Sequence, residues 1–242
     1  MQLPKTLSQS SINNFRNCSL RWFYEQQKRP QVYIETKARD FGIQFHNILS
    51  CYYDKISEFP NDREIDEKFN EASTETGGSE TDSQQIKFKK MRNNFISYEK
   101  KRVLRKEPKP TFTEKRLTAK LWDEIPEIVG KIDVYQEPMK RALDWKTGRH
   151  DEMNEGNYIQ GKLYLMLLEK NGYPADTFVF QYLESGTSPQ LPKITEGWLH
   201  QQLSSMCTDI ENDNFKAKPS GLCSWCSVQI SCKMKDVCPW SL

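Results

Sequence analysis

The chain has 242 residues, of which 36% are hydrophobic, 28% charged and 12% aromatic, and its 35 basic and 33 acidic residues leave a formal charge of +2. Such a length buries one good core, and the composition excludes a collagen-like, low-complexity or wholly disordered chain. The longest apolar runs are too short to cross a bilayer and the opening MQLPKTLSQS lacks the charged-then-apolar layout of a secretory signal, so a cytoplasmic protein with no membrane partner is expected.

In chain order, residues 8–27 read as a helix capped by Ser8, Ser10 or Ser11, with Ile12, Phe15, Leu20, Trp22 and Phe23 at apolar positions and Cys18 inside it. Pro30 ends that segment, and a second helix over 39–56 carries Phe41, Phe45, Ile48, Leu49 and Tyr52 on its apolar side, together with His46. The acidic, polar stretch 64–84, with Thr76-Gly-Gly-Ser79 as a loop, reads as an insertion. A basic helix over 85–104 follows. Its lysines and arginines, among them Lys89, Lys90, Lys100, Lys101 and Arg102, form either a phosphate-facing surface or a solvated helix face.

Lys106-Glu-Pro-Lys-Pro110 stops helical structure, and from Thr111 the texture is β-like. Runs over 112–121, 127–135 and 140–146, separated by Asp123-Glu124 and Glu137-Pro138, predict an antiparallel meander. A helix over 154–170, a strand over 177–183 and a helix over 195–212 complete the set. This order predicts an α/β (α+β) core in one domain spanning 1–242, built from a helical region over 1–108, a core over 109–212 and a C-terminal segment over 213–242.

The chemistry concentrates in Gly130-Lys131-Ile132-Asp133 and Leu143-Asp144-Trp145-Lys146-Thr147-Gly148. If the two strands pair as a hairpin, both carboxylates converge on one hard cation, which takes oxygen ligands. Lys146 shares a face with Asp144 because strand side chains alternate. A cation to polarise a phosphate, a place for the attacking water and an ammonium to stabilise developing charge are what phosphodiester hydrolysis needs. By itself an Asp-x-Lys tripeptide is equally a solvated strand face.

Four of the seven cysteines, Cys223, Cys226, Cys232 and Cys238, crowd the C-terminus, which argues for metal or iron-sulfur ligation over disulfides in an intracellular chain. Cys223-Ser-Trp-Cys226 brings two thiolates to one point and Cys232 reaches it after a turn; Cys18 or Cys238 supplies the fourth. A zinc site usually pairs two such knuckles and this chain has one, which tilts the choice from zinc toward a 4Fe-4S cluster. Cys51 and Cys207 read as buried small apolar residues.

Five features in order resemble the RecB-like branch of the PD-(D/E)XK nucleases, which includes the AddB-type helicase-nucleases and the CRISPR-associated adaptation exonucleases. They are Leu7-Ser-Gln-Ser-Ser-Ile-Asn-Asn-Phe-Arg-Asn-Cys18, Gly42-x-x-x-His46, the central pair Gly130-Lys-Ile-Asp133 with Asp144-Trp-Lys146-Thr-Gly, Gln160-x-x-x-Tyr164, and Cys223-x-x-Cys226-x5-Cys232 with Cys18. The resemblance implies a restriction-endonuclease-like core, a mixed sheet flanked by helices. It implies that His46, Asp133, Asp144 and the Trp145 carbonyl hold Mg2+ or Mn2+ and that Lys146 is catalytic. Gln160 and Tyr164 would steady Lys146 or a DNA phosphate, and Cys18, Cys223, Cys226 and Cys232 would hold the iron-sulfur cluster.

Glu114, on the strand before Asp133, is either a further acidic site residue or a solvated strand position. His46 without the aspartates would be a packed helical histidine, and Gln160 and Tyr164 would border the core. The expected activity is a metal-dependent exonuclease on single-stranded DNA or duplex ends, in recombination and repair, phage DNA metabolism or CRISPR adaptation. No Gly-x-x-x-x-Gly-Lys-Ser/Thr loop occurs in the sequence, so unwinding calls for a helicase partner. The competing readings are a non-catalytic DNA-binding module and a purely structural cluster protein.

Overall fold

The computed structural model describes residues 1–29, 31, 37–77, 84–148 and 152–232. The chain forms a mixed α/β fold with a central mixed sheet flanked by helices, and its residues fall into two compact units, each assembled from separate stretches.

The first unit comprises Met1–Thr36, Thr118–Val129 and Thr195–Leu242. It opens with a strand that periodicity does not predict, β1 (Thr6–Ser8). Leu7 is fully buried and pairs in parallel with Ile128 on the first residues of β3 (Glu127–Gln136). The single helix expected over 8–27 is two, α1 (Gln9–Asn17) and α2 (Ser19–Gln26). Cys18 breaks it with extended backbone, φ −165°, and its sulfur accepts the Arg21 amide at 3.4 Å, so the cysteine caps the second helix. Helical periodicity persists across the break, which is why the sequence conceals it. Trp22 and Phe23 stack on Phe215, with ring centroids 6.2 and 4.5 Å apart. Helix α7 (Glu196–Glu211), capped by Thr195, buries Leu199, Leu203, Met206, Cys207 and Ile210.

The second unit comprises Lys37–Leu117 and Gly130–Ile194. Three helices, α3 (Lys37–Lys55), α4 (Asp62–Glu75) and α5 (Gln85–Leu104), share an aromatic core. The expectation of an acidic insertion is corrected at α4: Ile65, Phe69 and Ala72 are fully buried, and the acidic residues that dominate its composition lie on its outer side. Thr76 and Gly77 follow it, while the rest of the expected loop lies outside the described residues.

The helices are also tied by a buried polar network. Tyr52 and Tyr53 donate to the two Glu99 oxygens at 3.0 and 2.8 Å, and Arg102 donates to Glu99 and to the carbonyls of Glu58 and Glu107. Glu99 and Arg102 are almost completely inaccessible, so this network is satisfied internally, as buried charge requires.

Strand β2 (Phe112–Ala119) pairs with β3, β4 (Arg141–Lys146) runs antiparallel to β3, and β5 (Thr177–Tyr182) runs parallel to β4. Val134 faces Leu143, and both belong with Trp145 to the helix-side core. Alternation sends Asp144 and Lys146 to the opposite face. Helix α6 (Glu155–Lys170), started by a reciprocal Asn154–Asn157 capping box, brings Gln160 and Tyr164 to that face; the Tyr164 and Phe178 rings are 6.0 Å apart.

Because Phe69 is fully buried among Phe45, Tyr52, Phe88 and Phe95, its truncation should be costly. Phe69→Ala is expected to destabilise the fold by about 3–5 kcal/mol. Urea denaturation checks this, and a loss below ~1 kcal/mol would return α4 to the status of an insertion.

Candidate active site

The register that sets Val134 opposite Leu143 places Asp133 and Asp144 side by side one step further along the two strands. Both are buried. Asp133 Oδ2 accepts the Trp145 amide at 2.9 Å, a side-chain bond at the point where the paired register ends. Burial first, and then the charge of Asp144, pushes the Asp133 carboxyl up to about 6, against the opposing pull of His46.

His46 comes from α3. Its Nδ1 lies 3.4 Å from Glu114 Oε1 and 3.5 Å from Asp133 Oδ2. Burial disfavours a charge on this imidazole, but Asp133, Glu114 and Asp144 outweigh it and push the group up to about 10. A cation bound here would therefore have to displace a proton from His46.

Glu114 is a site residue in geometry, not a solvated strand position. Its side chain is 15% exposed, bridged between His46 and the Lys131 ammonium. Burial raises its carboxyl, yet the bonds from His46 and Lys131 prevail and hold it below the usual range. The backbone at Glu114 has φ +52°, in the left-handed region that non-glycine residues rarely adopt and that a surrounding site over-determines.

Lys146 Nζ lies 2.7 Å from Asp144 Oδ2 and donates to Gln160 Oε1 at 2.8 Å. The Gln160 amide donates in turn to Asp144 Oδ1. One glutamine thus fixes both ends of the Asp-x-Lys pair. Asp144 Oδ2 is buried and, despite its ion pair with Lys146, lies outside hydrogen-bond geometry with any described residue. Tyr164 receives hydrogen bonds from Gln160 and the Lys131 backbone; burial, then Asp144 and Asp133, raise its hydroxyl's pKa. Trp145 turns its ring to the other face, between Phe95 and Tyr98, and contributes backbone only.

The ligand atoms of His46, Glu114 and Asp133 all lie within 4.8 Å of one another, and the under-bonded Asp144 oxygen belongs to the same pair of strands. One imidazole among carboxylate oxygens fits a hard divalent cation of the Mg2+ or Mn2+ kind. Two glycines permit the close approach: a Cβ on Gly42 would stand 2.9 Å from Thr147 Oγ1, and one on Gly130 would stand 2.8 Å from both Tyr164 and Leu167. Lys131 is the residue to which sequence reasoning gave no role, although it stands inside the Gly130–Asp133 motif; its i+2 spacing from Asp133 was the available signal.

In the first unit, Cys18, Cys223, Cys226 and Cys232 line one cleft with Arg21, Tyr24 and Lys218. Cys226 is pushed up by burial, with Cys18 and Cys232 among the charges it senses. Among the described residues no three of these sulfurs lie within 4.8 Å of one another. Cys238 lies outside the described residues.

A sequence profile of the PD-(D/E)XK nuclease superfamily matches residues 6–233. No curated protein sequence matches the chain. Among solved structures, a candidate exonuclease from Eubacterium rectale superposes with a TM-score of 0.55 at 14% identity, covering 93% of this chain and 92% of its own. The protein SSO0001 gives 0.46 at 13% identity over 96% and 88%. The first of these is a likeness of fold.

Gly130→Ala is expected to press on Tyr164 and Leu167 and to cost about 1–3 kcal/mol. A urea midpoint equal to that of the unaltered chain would show that α6 has room to move there.

Proposed function

Because the chain belongs to the PD-(D/E)XK nuclease superfamily, we propose that its second unit hydrolyses DNA phosphodiester bonds with a divalent cation, Mg2+ or Mn2+, attacking single strands or duplex ends. The observation that carries this reading is the convergence of His46, Glu114, Asp133, Asp144 and Lys146 around the β3–β4 pair, with Gln160 locking the last two. His46, Glu114, Asp133 and Asp144 would hold the cation, with the Trp145 carbonyl as a further ligand.

When bound, such a cation polarises a phosphate oxygen and acidifies a coordinated water. The chain's own groups do the rest. Lys146, held by Gln160 and Asp144, presents an ammonium for the negative charge that develops on the phosphoryl oxygens. Gln160 keeps that ammonium from swinging into solvent, and Tyr164, one helical turn on, accepts a hydrogen bond from Gln160. The buried Asp133–Trp145 bond fixes the two strands and hence the spacing of the carboxylates.

The four-cysteine cleft is read as the seat of a 4Fe-4S cluster held by Cys18, Cys223, Cys226 and Cys232. The meeting of Cys18, Cys232 and a single Cys-x-x-Cys knuckle in one cleft supports it over zinc, which usually takes two such knuckles. Ligating residues from both ends of the sequence would make the cluster a staple, so its contribution is to stability. A helicase or CRISPR adaptation proteins are the partners that the family resemblance suggests.

Asp144→Asn and Lys146→Ala should each lower cleavage of end-labelled DNA in Mg2+ or Mn2+ by on the order of 10²–10³-fold or more, with circular dichroism unchanged. Cleavage that persists in either variant, or in chelator, would sink the assignment. Cys226→Ser, purified without oxygen, should lose iron, acid-labile sulfide and visible absorbance and melt at lower temperature. Full iron content in that variant would exclude Cys226 as a ligand.

A further inference from the structure

Lys131 and Asp133 stand two residues apart on β3, so their side chains leave the same face of the strand. The Lys131 ammonium is ion-paired with Glu114 Oε2, while its side chain is 58% exposed. It therefore lies at the mouth of the site, with only its tip engaged. Glu114 meets His46 through its other oxygen, and that is the carboxylate grouped with His46 and Asp133 as cation ligands.

Charge counting separates two states of this site. Without a metal ion, Glu114, Asp133 and Asp144 carry negative charge that Lys131 and Lys146 offset by direct pairing, with the His46 imidazole set against Glu114 and Asp133. A divalent cation among those carboxylates, together with Lys146, balances all three. The Lys131 charge is then in excess, and Glu114, drawn to the ion, is a weaker partner for it. An exposed ammonium released beside the reacting centre is suited to a backbone phosphate of the substrate strand.

We infer that Lys131 is a substrate-positioning residue whose availability is set by the metal: it holds Glu114 while the site is empty and turns to a nucleic-acid phosphate when the ion takes Glu114 over. This rests on the metal-centre reading above. It predicts effects of opposite sign on the two ligands, which a structural role for Lys131 would not produce.

The test uses the full chain, Mn2+ as the ion, and a fluorescent oligothymidylate with phosphorothioate linkages, which keep the backbone charge and slow hydrolysis. Calorimetry measures Mn2+ binding, and anisotropy measures strand binding across a salt series. Lys131→Met should bind Mn2+ as tightly as the unaltered chain or a few-fold more tightly. In Mn2+ it should bind the strand about fivefold less tightly, and the slope of log affinity against log salt should fall by about 0.7, the loss of one single-strand phosphate contact. In chelator the two proteins should bind the strand alike, and Lys131→Arg should restore the Mn2+ behaviour.

Weaker Mn2+ binding by Lys131→Met would mean that the lysine builds the ion site, and the inference fails. It fails equally if strand binding drops by the same factor in chelator and in Mn2+, or does not drop at all. An unaltered chain that binds no Mn2+ overturns the metal centre itself, a failure visible before any Lys131 variant is measured.

Discussion

The second unit is organised around the burial of two like charges. Asp133 and Asp144 stand next to each other on paired strands, nearly out of contact with water. Two ionised carboxylates in such a place are unstable unless cations and donors surround them. The structure supplies these from every side: His46 from α3, the Trp145 amide from β4, Lys146 from the same strand, and the Gln160 amide from α6. Glu114 adds a further negative charge and is itself matched by Lys131. Such a cluster is tolerable because it is nearly charge-balanced, and it remains short of one thing, since an Asp144 oxygen has an ion pair but no hydrogen bond.

Holding these groups in place falls to the layers on both faces of the sheet. On one face the aromatic cluster of α3, α4 and α5 packs against Val134, Leu143 and Trp145, and Glu99 ties two tyrosines of α3 to Arg102 of α5. A shift of α3 would strain that network before it moved His46. On the other face α6 approaches β3 closely because Gly130 has no side chain, which lets Tyr164 lie over the strand and Gln160 reach Asp144. Precision at the site thus derives from a satisfied polar network on one side and a missing methyl group on the other.

Much of the second unit was legible in the sequence. Helices over 37–55 and 85–104, the strands 112–119, 127–136 and 141–146, and the helix 155–170 fall where periodicity and the Pro and Gly breaks put them. The proximity of Asp133, Asp144 and Lys146 was readable because a hairpin and strand alternation leave little freedom in where those side chains go. Helix α4 was not readable from composition, since three buried residues, Ile65, Phe69 and Ala72, suffice to anchor a helix whose remaining surface is polar. The pairing of β1 with β3 was hidden because the partner strand is more than a hundred residues away, and the break at Cys18 because helical periodicity runs across it.

By itself the sequence determined which motifs bring Asp133, Asp144, Lys146 and Gln160 and, through local periodicity, the elements that carry them. Only the tertiary structure decided that Glu114 turns inward to His46, that Lys131 is its counter-ion and that Gln160 clamps Asp144 to Lys146. Spacing along a strand or helix fixes direction, but a contact between elements depends on how they pack, and packing is a property of the whole core.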